Sequence, residues 1–85
     1  MYTKHPDDFD TVYLLFIGEK ISSARRLHGV KEDTVAKAIG LSQTTISQIE
    51  KGNYPGLKAT TLLKIVQYLN IPWVDLLPSP QRFIE

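Results

Sequence analysis

The sequence predicts an all-α fold, a compact five-helix domain with an extended helix 1. Three observations carry this. Apolar residues recur at three- and four-residue spacing in successive segments, and no segment alternates with the two-residue period of a strand. Glycine, proline and asparagine punctuate those segments at short intervals. At the centre, Glu32–Gly52 reads as two short amphipathic helices joined by a tight turn, and the rest of the chain is organised around it.

Residues 1–5 read as a frayed end. Pro6 suits a first helical turn, and Asp7, Asp8 and Asp10 suit the positive end of a helix dipole. Helix 1 then runs from about Pro6–Asp10 to Leu27 or His28 and stops at Gly29. Tyr13, Leu14, Ile17, Ile21 and Ala24 share one face, assigned to the core. Phe9, Val12 and Phe16 form a second stripe and Leu15 points elsewhere. The first half of helix 1 is therefore apolar nearly all round and calls for cover beyond the main core.

Helix 2 spans about Glu32–Ile39, with Val35, Ala36 and Ile39 inward and Gly40 as its left-handed stop. The small Ala36 lets helices 2 and 3 approach closely. Ser42 is the expected N-cap of helix 3, about Gln43–Lys51, because its hydroxyl can accept a backbone N–H. Ile46 and Ile49 turn inward and Gly52 closes the helix. The Pro-Gly pair makes Asn53–Lys58 a loop. Helix 4 is about Ala59–Leu69, with Leu62, Ile65, Val66 and Leu69 at core spacing and Asn70 as a stop. Pro72 opens a short helix 5, Pro72–Leu77, whose Trp73, Leu76 and Leu77 can close the core. Pro78 and Pro80 end it. The tail carries Phe83 and Ile84. The expected organisation is one domain over residues 1–85. Its core is about 17–77, an extension of helix 1 covers 1–16, and a tail covers 78–85.

Composition narrows the function. Apolar content of 42% is too high for a disordered chain. With no cysteine there is neither a disulfide nor a thiolate metal site. The apolar run Val12–Ile17 is far too short to cross a bilayer. The N-terminal stretch is acidic where a secretion signal is basic, so a soluble, cytoplasmic protein is expected. Net charge is +1, unevenly spread: residues 20–68 hold eight Lys/Arg against three Asp/Glu, a surplus of positive charge around the central helix pair. That suits a polyanionic partner. His5 and His28 have no spaced Ser, Asp or Glu partners of a triad or metal site. The five glycines form no phosphate loop. No enzyme, cofactor or metal is expected.

The central pair matches a DNA-binding helix-turn-helix, whose second helix enters the major groove. With Ile46 and Ile49 inward, Thr44, Ser47, Gln48 and Lys51 point outward and Gln43 sits at the exposed start. Outward amides and hydroxyls are suited to base edges; Gln can bond adenine bidentately. Lys31, Thr45, Lys51, Asn53, Tyr54 and Lys58 flank the helix as candidates for phosphate contacts, which set register.

The stretches ISSARRLHG, VAKAIGLSQTTISQIEKG and TTLLKIVQYLNI with DLL together resemble the lambda repressor-like domain, the family of Cro, phage repressors and xenobiotic-response-element regulators. The resemblance covers about Ile17–Leu77. It implies that Gln43, Thr44, Ser47 and Gln48 read bases, and that Arg25 and Glu50 form a structural ion pair. Two positions depart from the family: Lys31 stands where a capping Ser or Thr is usual, and Glu32 where a phosphate-contacting Gln is usual. The acid repels phosphate, while its first-turn position complements the helix dipole.

The expected partner is double-stranded DNA, as a palindromic operator bound by a homodimeric regulator, a repressor by preference, with no membrane role. The expected dimer seam is Trp73 and Val74, where relatives often dimerise, followed by Phe9, Val12, Phe16, Phe83 and Ile84. The rival is a tail folded back over helix 1. Other readings are an interaction module of the same fold without DNA binding, an antitoxin, or a restriction–modification controller.

Overall fold

The computed structural model describes residues 9–77. Its elements are α1 (Phe9–Leu27), α2 (Glu32–Ile39), α3 (Gln43–Glu50), α4 (Ala59–Leu69) and a 3-10 turn (Trp73–Leu76), with no strand among the described residues. The expected start of helix 1 at Pro6, the N-terminal Asp7 and Asp8, and the tail with Phe83 and Ile84 lie outside the described residues. No helix among the described residues is long and apolar enough to cross a membrane. No His/Asp/Glu cluster of three is placed to hold a metal ion there.

All four α-helices end by the same local device. Gly29, Gly40, Gly52 and Asn70 take positive φ. The next N–H then reaches back five residues, from Val30 to the Arg25 carbonyl, Leu41 to Ala36, Asn53 to Gln48 and Ile71 to Val66, at 2.9–3.0 Å. Each closure satisfies a carbonyl that the helix end would otherwise leave bare. Asn70 serves in place of glycine because asparagine tolerates the left-handed region better than other side chains do.

The core joins Ile17 and Ile21 of α1, Val35 and Ala36 of α2, Ile46 and Ile49 of α3, and Ile65, Val66 and Leu69 of α4. Ile71 and Leu76 complete it. α1 lies against α3, α4 and the 3-10 turn; α2 lies against α3 and α4. Leu62 and Ile39, expected at full depth, are only partly buried at its margin.

The expected fifth helix is corrected: residues 73–76 form a single 3-10 turn. Such a turn has three residues per turn and offers little inward surface. Only Leu76 goes in, while Trp73 and Leu77, expected to help close the core, are 57% and 69% exposed. The Tyr13 hydroxyl donates to the Leu76 carbonyl at 3.0 Å and pins the turn to α1. Phe16 is also corrected in part. It packs against the core, with the Lys20 ammonium 5.3 Å from its ring centroid, rather than standing wholly outside.

Candidate nucleic-acid interface

Ser42 starts α3. Its hydroxyl accepts the Thr45 N–H at 3.1 Å and lies 2.9 Å from the Thr45 hydroxyl. With Ile46 and Ile49 buried, the opposite side of α3 is polar: Gln43, Thr44 and Gln48 are exposed and Ser47 is half-buried. Three residues, Gly40 to Ser42, separate α2 from α3. This is the helix–tight turn–helix arrangement, with one clean polar face on its second helix.

The other candidates sort by environment. Lys31, Lys51, Asn53 and Lys58 are exposed. Thr45 is half-buried, its hydroxyl and N–H both engaged at the Ser42 cap. Tyr54 packs partly against the core, and the Leu57 N–H returns to its carbonyl at 3.1 Å, folding the loop after α3 onto the domain. Lys31 and Lys58 occupy the N-cap positions of α2 and α4, and neither makes a side-chain cap bond. Both helix starts therefore keep free N–H groups beside a lysine, a favourable combination for an anion.

The position of α3 is fixed from α1. Arg25 Nε donates to Glu50 Oε2 at 2.6 Å and its Nη2 to Oε1 at 3.1 Å, a two-pronged pair with side chains only 16% and 5% exposed. Arg25 Nη1 also donates to the Val30 carbonyl at 2.9 Å. The bond to Glu50 holds the Arg25 guanidinium above its ordinary pKa, against the opposing effect of burial. Sequence reasoning missed a second device here. Gly18 is buried where α1 crosses the end of α3, and a Cβ there would stand 2.5 Å from the Ile49 carbonyl oxygen and 2.6 Å from that of Glu50. A glycine inside an apolar helical stretch was the available signal. It missed also that Gln43 Nε2 donates to Glu32 Oε1 at 3.4 Å across the turn.

The helix-turn-helix family profile matches residues 21–76, from the second half of α1 through the 3-10 turn. The chain belongs to the lambda repressor-like helix-turn-helix family. An uncharacterised HTH-type transcriptional regulator of Methanocaldococcus jannaschii is 36% identical over 58 residues, covering 67% of this chain and 85% of that protein. No solved structure matches it. Relative to the family profile, this helix-turn-helix chain adds the aromatic first half of α1. There Phe9 and Tyr13 stack with centroids 5.9 Å apart, and Tyr13 and Phe16 with centroids 6.2 Å apart.

Proposed function

We propose that this helix-turn-helix chain is a sequence-specific double-stranded DNA-binding transcriptional regulator, a homodimeric repressor on a palindromic operator in the cytoplasm. The observation that carries the reading is α3, whose inward isoleucines are buried while Gln43, Thr44 and Gln48 stand exposed on a rigidly mounted helix. In this reading α3 lies in the major groove, with Gln43, Thr44, Ser47 and Gln48 at base edges. Lys31, Lys51, Asn53, Tyr54 and Lys58 hold phosphates, with Thr45 contributing from the cap. The lysines at two open helix starts support this, since without an anion a lysine there opposes the helix dipole.

Dimerisation follows from how few base pairs one α3 can read. A two-fold pair doubles the contacts and sets the two α3 helices about 34–36 Å apart in successive major grooves. Trp73 and Val74, 57% and 68% exposed, form the seam, and Phe9, 55% exposed, extends the apolar surface on α1, with the half-buried Val12 and Phe16 adding only their outer edges.

Selection of bound duplexes from a random pool tests the reading. The expected result is one palindromic consensus. Gln43→Ala then relaxes preference at one position per half-site, a loss of about 1–3 kcal/mol per bidentate contact. Lys51→Ala weakens all duplexes alike and makes the log K against log salt slope shallower by about 1. No enriched sequence and no salt-dependent binding to random duplex would instead fit an interaction module of the same fold.

A further inference from the structure

We propose that the cleft between α1, the end of α4 and the 3-10 turn binds a small zwitterion, a free α-amino acid with an apolar side chain. The cleft encloses about 250 Å³, and no residue of α2 or α3 lines it. A ligand there would not compete with DNA for α3. A cavity of about 150 Å³ admits benzene and drug-sized ligands fill about 300 Å³ or more, so the space suits a molecule between the two. Leu27, Leu69, Ile71 and Pro72 give the cleft an apolar wall, with Leu27 left 85% exposed.

Charge sets the class of ligand. Lys20 of α1 and Asp75 of the 3-10 turn both line the cleft, and neither enters an ion pair among the described residues, with each other or elsewhere. The Lys20 ammonium lies 5.3 Å from the Phe16 ring centroid, a π face that carries no full negative charge. A simple anion in the cleft would meet Lys20 but be repelled by Asp75, and a simple cation the reverse. A neutral apolar molecule would take water from both charges and return nothing. A molecule bearing both charges answers each wall: its carboxylate pairs with Lys20 and its ammonium with Asp75. Two further features favour the ammonium. His28 Nε2 donates to the Leu69 carbonyl at 2.8 Å, so in the neutral ring Nδ1 is left as an acceptor. The cleft also lies at the C-terminal ends of α1 and α4, the negative ends of two helix dipoles. The apolar side chain rests on the wall that includes Leu27. Bound in this way, the amino acid ties the 3-10 turn to α1 a second time, beside the Tyr13 bond to the Leu76 carbonyl.

The test titrates the full chain, followed by backbone amide shifts, with valine, leucine, isoleucine, methionine and phenylalanine in turn, each to about 10 mM. At least one should give saturable shifts centred on the cleft, with Kd about 1 mM or below. Glycine, a zwitterion with no side chain, controls for general salt effects and should bind more weakly. The amine and the carboxylic acid made by removing one charged group from the best ligand should each bind about tenfold more weakly. Lys20→Gln should bring the affinity for the amino acid down to about that for the amine, and leave the amine unchanged. Asp75→Asn should do the same with respect to the acid. Both side chains reach solvent, so melting curves without ligand should match wild type and show the variants folded. The proposal is overturned if none of the five amino acids saturates, if the shifts lie outside the cleft, or if the amine, the acid or glycine binds as well as the amino acid. It is overturned equally if both charge variants bind like wild type.

Discussion

Arg25 serves three partners with one guanidinium: both oxygens of Glu50 and the Val30 carbonyl. It ties α1 to the end of α3 and to the turn before α2. Such a pair contributes little net stability while intact, because both groups lose water. Breaking it is costly, because the remaining charge stays in a mostly dry place. Glu50→Ala should lower unfolding free energy by about 3 kcal/mol in a urea titration. The lower end of the usual range applies because Arg25 keeps its bond to Val30. Gly18 acts on the same joint. Gly18→Ala would gain up to about 1 kcal/mol of helix propensity. Against this, the new methyl meets two backbone carbonyl oxygens that cannot rotate away. Overpacking of this kind costs about 1–3 kcal/mol, so a net loss and a lower melting temperature are expected. If α3 is the DNA-reading helix, operator affinity should fall as well, since α3 must move to make room.

At the scale of elements, helix ends divide by what they face. The four C-terminal ends are closed alike, by backbone bonds that need a residue tolerant of positive φ, and at Gly52 one without a Cβ, which would stand 2.9 Å from the Leu15 Cα. The N-terminal ends of α2, α3 and α4 differ: Ser42 caps α3, while α2 and α4 begin at uncapped lysines. Lys58→Ser should therefore stabilise the free protein by about 1 kcal/mol, through a new cap and relief of charge at the dipole's positive end. The same change should weaken DNA binding and reduce the salt slope by about 1. Thermal melts and binding isotherms on one variant test both signs. The 3-10 turn depends on Tyr13. Burial raises its phenol pKa, and a phenolate could not donate to the Leu76 carbonyl. A raised folded pKa means that this contribution is intact below the ordinary tyrosine pKa near 10. It is lost as pH rises through the folded value. Tyr13→Phe should cost about 1 kcal/mol at neutral pH and show a smaller alkaline loss of stability than wild type.

Over the whole molecule, one core joins all four helices while several large apolar side chains stay out of it. Trp73, Val74, Leu77, Phe9 and Leu15 are each at least half exposed. Scattered apolar groups on a surface are ordinary, but three of these lie within five residues of one another. The dimer reading expects sedimentation at micromolar concentration to give about twice the 9.6 kDa chain mass. Val74→Lys should return it to the monomer. Because Val74 is exposed in the single chain, its melting free energy as a monomer should move by only about 0.5 kcal/mol or less. A clean wild-type monomer bound to one non-palindromic site would contradict the seam.

The sequence by itself determined what depends on near neighbours. The stops at Gly29, Gly40, Gly52 and Asn70, the Ser42 cap and the inward faces of α2, α3 and α4 are set by bonds and spacings within a few residues. The family resemblance was legible for the same reason, being carried by such local runs. Tertiary structure alone decided what depends on distant segments meeting. The 3-10 turn of residues 73–76, with Leu76 inside and Trp73 outside, is pinned to α1 by the Tyr13 hydroxyl on the Leu76 carbonyl, 63 residues away in the chain. Ile71 reads as a loop residue until α4 carries it into the core. Gly18 reads as a weak point in a helix until the carbonyls of α3 arrive 2.5 Å from where its Cβ would be. Glu32 reads as a dipole partner until the turn sets it against Gln43. Periodicity reports which way a side chain points from its own helix, but which atoms it meets is set only when the helices pack.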